Sequence, residues 1–182
     1  MIDRPDRITV TEEYRDMVKR TNPVIQQLHI DENAELFERA VKQGYALEAF
    51  ITTFMQSDAA FRLDMPLNRY RWEGTEGLWE DFLEECEAKG ITLSKANPHE
   101  ASAPNLMGEI AYWCGCVYRE WHFRDGLWSE EMFEKLPPRI LMDEYGWGHT
   151  MMVETWLESN LDSLIVDPIR DVEDSISHSQ EK

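Results

Sequence analysis

The sequence predicts an all-α protein, a single compact multi-helix domain over residues 1–170 with a loose acidic tail over 171–182. Three observations lead there. Apolar residues recur every three to five positions along most of the chain, the rhythm of a helix face. Proline and glycine punctuate these stretches, at Met65-Pro66, Gly90, Pro137-Pro138 and Gly146-Trp147-Gly148. Only Ile91-Thr92-Leu93 and Leu164-Ile165-Val166 resemble strands, and two such short runs do not make a sheet.

The elements follow in order. From Glu32, the positions Ala34, Phe37, Val41, Ala46, Phe50 and Phe54 keep a helical rhythm, with Asp31 placed as the N-cap and Gly44 dividing the run. After Ser57, a short apolar turn (Ala59, Ala60, Phe61, Leu63) runs into Pro66, where a helix should stop. A loop through Arg69, Trp72 and Gly74 leads to a helix over 75–89. Its stripe is Leu78, Trp79, Phe82, Leu83 and Cys86, and Gly90 is the terminator. Two X-Pro pairs, Asn97-Pro98 and Ala103-Pro104, make 91–104 read as a long loop. The most apolar helix spans 105–124, with Leu106, Ile110, Trp113, Val117, Tyr118 and Trp121 on a broad face; shorter helices are expected at 129–136, 138–145 and 150–160.

Charge is the strongest functional clue. The chain carries 36 acidic and 18 basic residues, a formal net charge of −18 on 182 residues, whereas a small soluble domain needs a magnitude of only about 2–8. Crowded like charges destabilise a compact surface, so the excess invites a reading in which a partner recognises the negative field. Phosphates would be repelled, which argues against direct binding to DNA, RNA or an anionic membrane. No stretch approaches the ~20 apolar residues of a membrane span, and the first seven residues, Met1 to Arg7, lack the apolar core of a secretory signal. Three cysteines, Cys86, Cys114 and Cys116, make no disulfide framework. A reducing, cytoplasmic location is the expectation.

Catalytic and metal signatures are weak. The histidines (His29, His99, His122, His149, His178) include no i, i+4 pair of the zinc-helix kind. His122, closing the most apolar helix, reads more economically as a histidine bonded to a carbonyl. His149, in a glycine-rich turn, could meet a ligand or simply brace that turn. Cys114-Gly115-Cys116 has no second cysteine pair, and on a helix the two thiols point about 200° apart, so core cysteines are expected. No phosphate-binding glycine loop occurs. Neither metal nor cofactor is expected, and a non-enzymatic role is favoured.

The acid is concentrated. Glu73, Glu76, Glu80, Asp81, Glu84, Glu85 and Glu87 follow one another with no basic residue before Lys89. Glu76, Glu80, Glu84 and Glu87 fall at i, i+4, i+8 and i+11 and predict one acidic ridge. Like charges at i, i+4 cost a helix a few tenths of a kcal/mol per pair (about 0.2–0.5). A solvated outer face is the commoner reason for such a ridge. Carboxylates about 6 Å apart also approximate the phosphates of a nucleic-acid strand. A second acidic stretch, Asp162, Asp167, Asp171, Glu173 and Asp174, closes the chain.

The segment Tyr112-Trp113-Cys114-Gly115-Cys116-Val117-Tyr118-Arg119-Glu120-Trp121-His122-Phe123, with Gly126, Gly148-His149-Thr150 and the upstream Phe54-Met55-Gln56-Ser57-Asp58-Ala59-Ala60, resembles a family of small bacterial proteins carried near toxin genes and on mobile elements, antitoxin-like in kind, and in size and acidity the chain is similar to anti-CRISPR proteins. The resemblance implies an accessory or neutralising protein. The expected function is therefore stoichiometric inhibition of a basic nucleic-acid-handling protein, a Cas nuclease or a toxin. The ridge Glu76/Glu80/Glu84/Glu87 would supply charge, and Trp72 and Trp147 would be apolar anchors. One alternative is a helical enzyme or small-ligand domain using His122 and His149 with Tyr112 and Tyr145; another is a structural homo-oligomer.

Overall fold

The computed structural model describes residues 8–165, and among them the fold is an all-helical compact domain with no strand. Its elements are α1 (Glu12–Lys19), α2 (Pro23–Lys42), α3 (Leu47–Met55), α4 (Asp58–Asp64), α5 (Tyr70–Ala88), α6 (Pro98–Ser102), α7 (Pro104–Asp125), α8 (Ser129–Lys135), α9 (Pro138–Gly148) and α10 (Val153–Leu164). An isolated antiparallel bridge, Tyr45 to Lys95, ties the α2–α3 turn to the segment before α6. No helix among the described residues is long and apolar enough to cross a membrane.

The two longest helices, α2 and α7, form the axis, and the reason lies in one residue. A Cβ on Gly115 of α7 would stand 2.6 Å from the Ala34 Cα and 2.8 Å from the Asn33 carbonyl oxygen of α2, so only glycine lets the backbones approach this closely. The Asn33 amide then donates to the Gly115 carbonyl at 2.9 Å, satisfying a buried acceptor across the contact. On the α2 side, α3 and α5 add an aromatic cluster. Phe37, Phe50, Phe54 and Phe82 pack largely edge to face, with centroids 5.4–5.9 Å apart in the four edge-on pairs. On the α7 side, α9 and α10 close over Trp113 and Trp156, whose rings meet edge-on at 5.2 Å. Full burial of each such side chain is worth about 1.5–3 kcal/mol.

Several boundaries differ from the sequence reading, each for a local reason. Asp31 is not an N-cap: α2 begins two turns earlier, where the Asn22 side chain accepts from the Val24 N–H at 2.9 Å and Pro23 takes the first turn. Asp31 instead accepts from Gln27, one turn back on the same helix. The stretch from Arg69 to Gly74 is a helical turn rather than a loop, and α5 is broken at Gly74, whose φ of 60° and ψ of −160° suit only glycine. The long loop over 91–104 contains α6, started by a capping box between Asn97 and Glu100. Trp72 and Trp147 accordingly sit on helices, not loops. Gly90 does end α5, at φ 66°. Of the two strand candidates, 91–93 pairs with nothing in a sheet, and Leu164 and Ile165 end and cap α10. The tail over 171–182, with His178 and the acids from Asp167 onward, lies outside the described residues.

Candidate functional site

The acids of α5 sort themselves by direction. Asp81 and Glu85 face the protein. Asp81 accepts from the Tyr70 hydroxyl at 2.6 Å and from Arg69. Burial pushes the Asp81 carboxyl up, but these hydrogen bonds outweigh it and hold it below its ordinary value. Glu85 accepts the Asp58 and Ala59 N–H groups at 2.8 and 2.9 Å and Lys89 at 2.6 Å. It thereby caps the first turn of α4 from a neighbouring helix.

Glu76 is also occupied. Arg39 of α2 grips it through two bonds, 2.5 and 3.0 Å, and this contact holds the Glu76 carboxyl below its usual value. The same guanidinium lies over the Trp79 ring, 4.9 Å from its centroid. Glu76 therefore serves the α2–α5 seam, and its place in the four-residue ridge is only partial.

Glu80, Glu84 and Glu87 remain, all exposed. They follow at i, i+4 and i+7, one face about 10 Å long by the helical rise. Among the described residues, no hydrogen bond or ion pair holds Glu84 or Glu87, and Glu80 acts on Arg39 only through space. The free acidic face is thus three glutamates.

Trp72 stands at the start of the same element, 88% exposed. In an unbroken helix it would share a face with Trp79, seven positions on, which is 6% exposed. The break at Gly74 separates the two. Trp147 is not brought to this site. It lies on α9, which packs on α7, α3 and α10, and its indole N–H is donated to Glu144 at 2.9 Å.

The histidine alternative does not assemble. His122 is buried, and its Nδ1 donates to the Leu127 carbonyl at 2.6 Å. His149 is exposed at the end of α9, with Nδ1 on the Tyr145 carbonyl at 2.6 Å and its ring stacked on Tyr145 at 4.5 Å. Each imidazole braces the backbone. Tyr145 donates to Glu109 at 3.1 Å, and Glu109 and His122 are about 20 Å apart along α7 by the rise per residue. Tyr112, 38% exposed, lies on the outer side of that helix. No cluster of three or more His, Cys, Asp or Glu side chains among the described residues could hold a metal ion. Burial pushes the Cys86 thiol up to about 11 and Cys116 to about 12, and Cys114 higher still. Thiols so placed are protonated and inert.

The polar centre that the sequence did not disclose is Asp64. It is 1% exposed at the end of α4. One oxygen accepts from Arg119 at 2.7 Å and the Ser129 hydroxyl at 3.0 Å, the other from the Ser129 N–H at 2.7 Å. Three elements, α4, α7 and the start of α8, are joined by one carboxylate. Burial raises the Asp64 carboxyl, and Arg119 and Ser129 work against that rise. Burial and the Arg119 charge hold His122, 3.9 Å away, well below its ordinary value. The partners lie far apart in sequence, so no local pattern could have announced them.

No protein-family model matches this chain, and no curated protein or solved structure shows significant similarity to it.

Proposed function

We propose that this chain is a stoichiometric, non-enzymatic inhibitor that docks on a basic nucleic-acid-handling protein, a nuclease of the Cas type or a toxin. Docking uses the outer face of α5. The observation that supports the reading is the row Glu80, Glu84 and Glu87, exposed and, among the described residues, in no ion pair, on the element that also presents Trp72. A row of unpaired carboxylates attracts a basic groove and speeds encounter. The exposed indole of Trp72, on the same element, supplies the apolar contact that charge alone lacks. Glu76 contributes less than its spacing suggests, because Arg39 already neutralises it.

The test is affinity capture from the native host, run in parallel with wild type and with the triple variant Glu80→Gln/Glu84→Gln/Glu87→Gln. A basic nucleic-acid-binding protein should be retained by wild type and lost by the variant. Its affinity should fall as salt rises, because exposed charges are screened beyond ~8 Å at physiological ionic strength. Removing the three charges should weaken binding at least about tenfold, about 1.4 kcal/mol. Identical retention by both proteins at every salt concentration would reduce the row to a solvated face.

A further inference from the structure

One part of the surface runs against the charge of the rest. Met17 of α1, Ile25 of α2 and Pro66 and Leu67 between α4 and α5 line an open groove of about 450 Å³. Its charged lining is Glu13, Arg20 and Arg71, two cations to one carboxylate, on a chain with 36 acidic and 18 basic residues. Leu67 is 77% exposed and Met17 40%, and Val24, beside Ile25 at the start of α2, is 78% exposed. Side chains of this kind cluster on a surface where something is meant to cover them.

Arg71 gives the groove its chemistry. One terminal nitrogen donates to the Pro66 carbonyl at 2.6 Å, which holds the guanidinium in place. Its Nε–H is buried and, among the described residues, has no hydrogen-bond partner. No carboxylate among the described residues pairs with Arg71, although acids outnumber bases two to one overall. The other terminal nitrogen is, among the described residues, neither buried nor hydrogen-bonded, and a carboxylate is the strongest acceptor a partner can bring to it. Arg20, whose side chain is 76% exposed, adds a second cation; its Nε donates to the Asp16 carbonyl at 3.1 Å, and its nearest carboxylate contact, with Asp16, is 3.9 Å.

We propose that this groove docks an acidic amphipathic segment of a partner protein, with apolar side chains between Met17, Ile25 and Leu67 and a carboxylate on Arg71. Charge complementarity selects that occupant. A second copy of the chain paired groove to groove would set Arg71 against Arg71. Nucleic acid offers no apolar side chains to cover Met17, Ile25 and Leu67. The proposal stands apart from the α5 reading, since the two surfaces prefer opposite charges.

The experiment is a titration of the ¹⁵N-labelled chain with a short synthetic helix of Leu and Glu in amphipathic spacing, and with its Leu/Lys counterpart, followed by amide chemical shifts. The Leu/Glu peptide should move the amides of Met17, Ile25, Leu67 and Arg71. It should bind the groove at least about tenfold more tightly than the Leu/Lys peptide, and lose about tenfold in Arg71→Gln. Arg20→Gln and Leu67→Ser alter exposed side chains, so each should weaken binding several-fold with the circular dichroism spectrum unchanged. No shift at the groove, an unchanged affinity in all three variants, or self-association through these residues would overturn the proposal.

Discussion

Asp64 and the outer glutamates of α5 are the same functional group in opposite surroundings. Asp64 is 1% exposed and receives hydrogen bonds from Arg119 and from both the N–H and hydroxyl of Ser129. Glu84 and Glu87 are exposed and, among the described residues, held by nothing. Inside, a carboxylate without its partners would be intolerable, so it dictates where three helices meet. Outside, water already satisfies the carboxylate, so it dictates nothing about the fold and is available to a partner. Total charge is therefore a poor guide to which acids matter for stability. Glu84 and Glu85 repeat the lesson one residue apart, since the second caps α4 and the first faces solvent.

The sharpest way to break this contrast is Asp64→Ala. It leaves Arg119 buried and uncompensated, and should cost about 3–5 kcal/mol in urea unfolding. The triple glutamine variant of α5 should stay within about 0.5 kcal/mol of wild type. A loss below about 1 kcal/mol for Asp64→Ala would mean that the knot joins the helices without holding them.

Next in size is a pH effect. His122 in the folded protein is held well below its ordinary value by burial and Arg119. Below pH about 6.5 the unfolded chain therefore binds a proton that the native state refuses. Stability falls as pH drops through that value, by up to about 1.4 kcal/mol per pH unit, and the full contribution is present above it. Unfolding measured at pH 7.5, 6.5 and 5.5 should show a steeper acid loss for wild type than for His122→Gln. Parallel profiles would remove His122 from the account.

The smallest comparison is the neighbouring pair. Glu85→Ala removes acceptors from two N–H groups of α4 and from Lys89, a capping loss of about 1–2 kcal/mol. Glu84→Ala should change stability by less than about 0.5 kcal/mol. Equal effects on thermal unfolding would show that direction on α5 does not separate the two roles.

What the sequence made legible follows the same divide. Helices α7 through α10 were readable because their apolar residues face one core and repeat at helical spacing. Helix α1 and the first two turns of α2 were not, although Asn22-Pro23 is a sound start signal. Asp31 was equally plausible as a cap and stood closer to the obvious apolar run. The acidic row on α5 was visible as a pattern, but Glu76 could not be told from Glu80 without knowing that Arg39 lies opposite. The Asp64–Arg119 pair joins residues 55 positions apart, and nothing in either neighbourhood marks them. The Arg71 groove was hidden for a similar reason, since its lining joins two stretches of chain, 13–25 and 66–71.

The break at Gly74 also has an optical consequence. Trp79, Trp113, Trp121, Trp128 and Trp156 are between 0% and 7% exposed, Trp147 is 48% exposed, and Trp72 stands at 88%. The chain therefore carries its own water-facing fluorophore on the element proposed to meet a partner. Caesium and iodide, quenchers of opposite sign, will reach that indole in proportions set by the potential around it. Their quenching ratio, compared between wild type and Trp72→Phe, reads the field at this spot in the free protein. The same ratio in a complex reports whether the indole has left water.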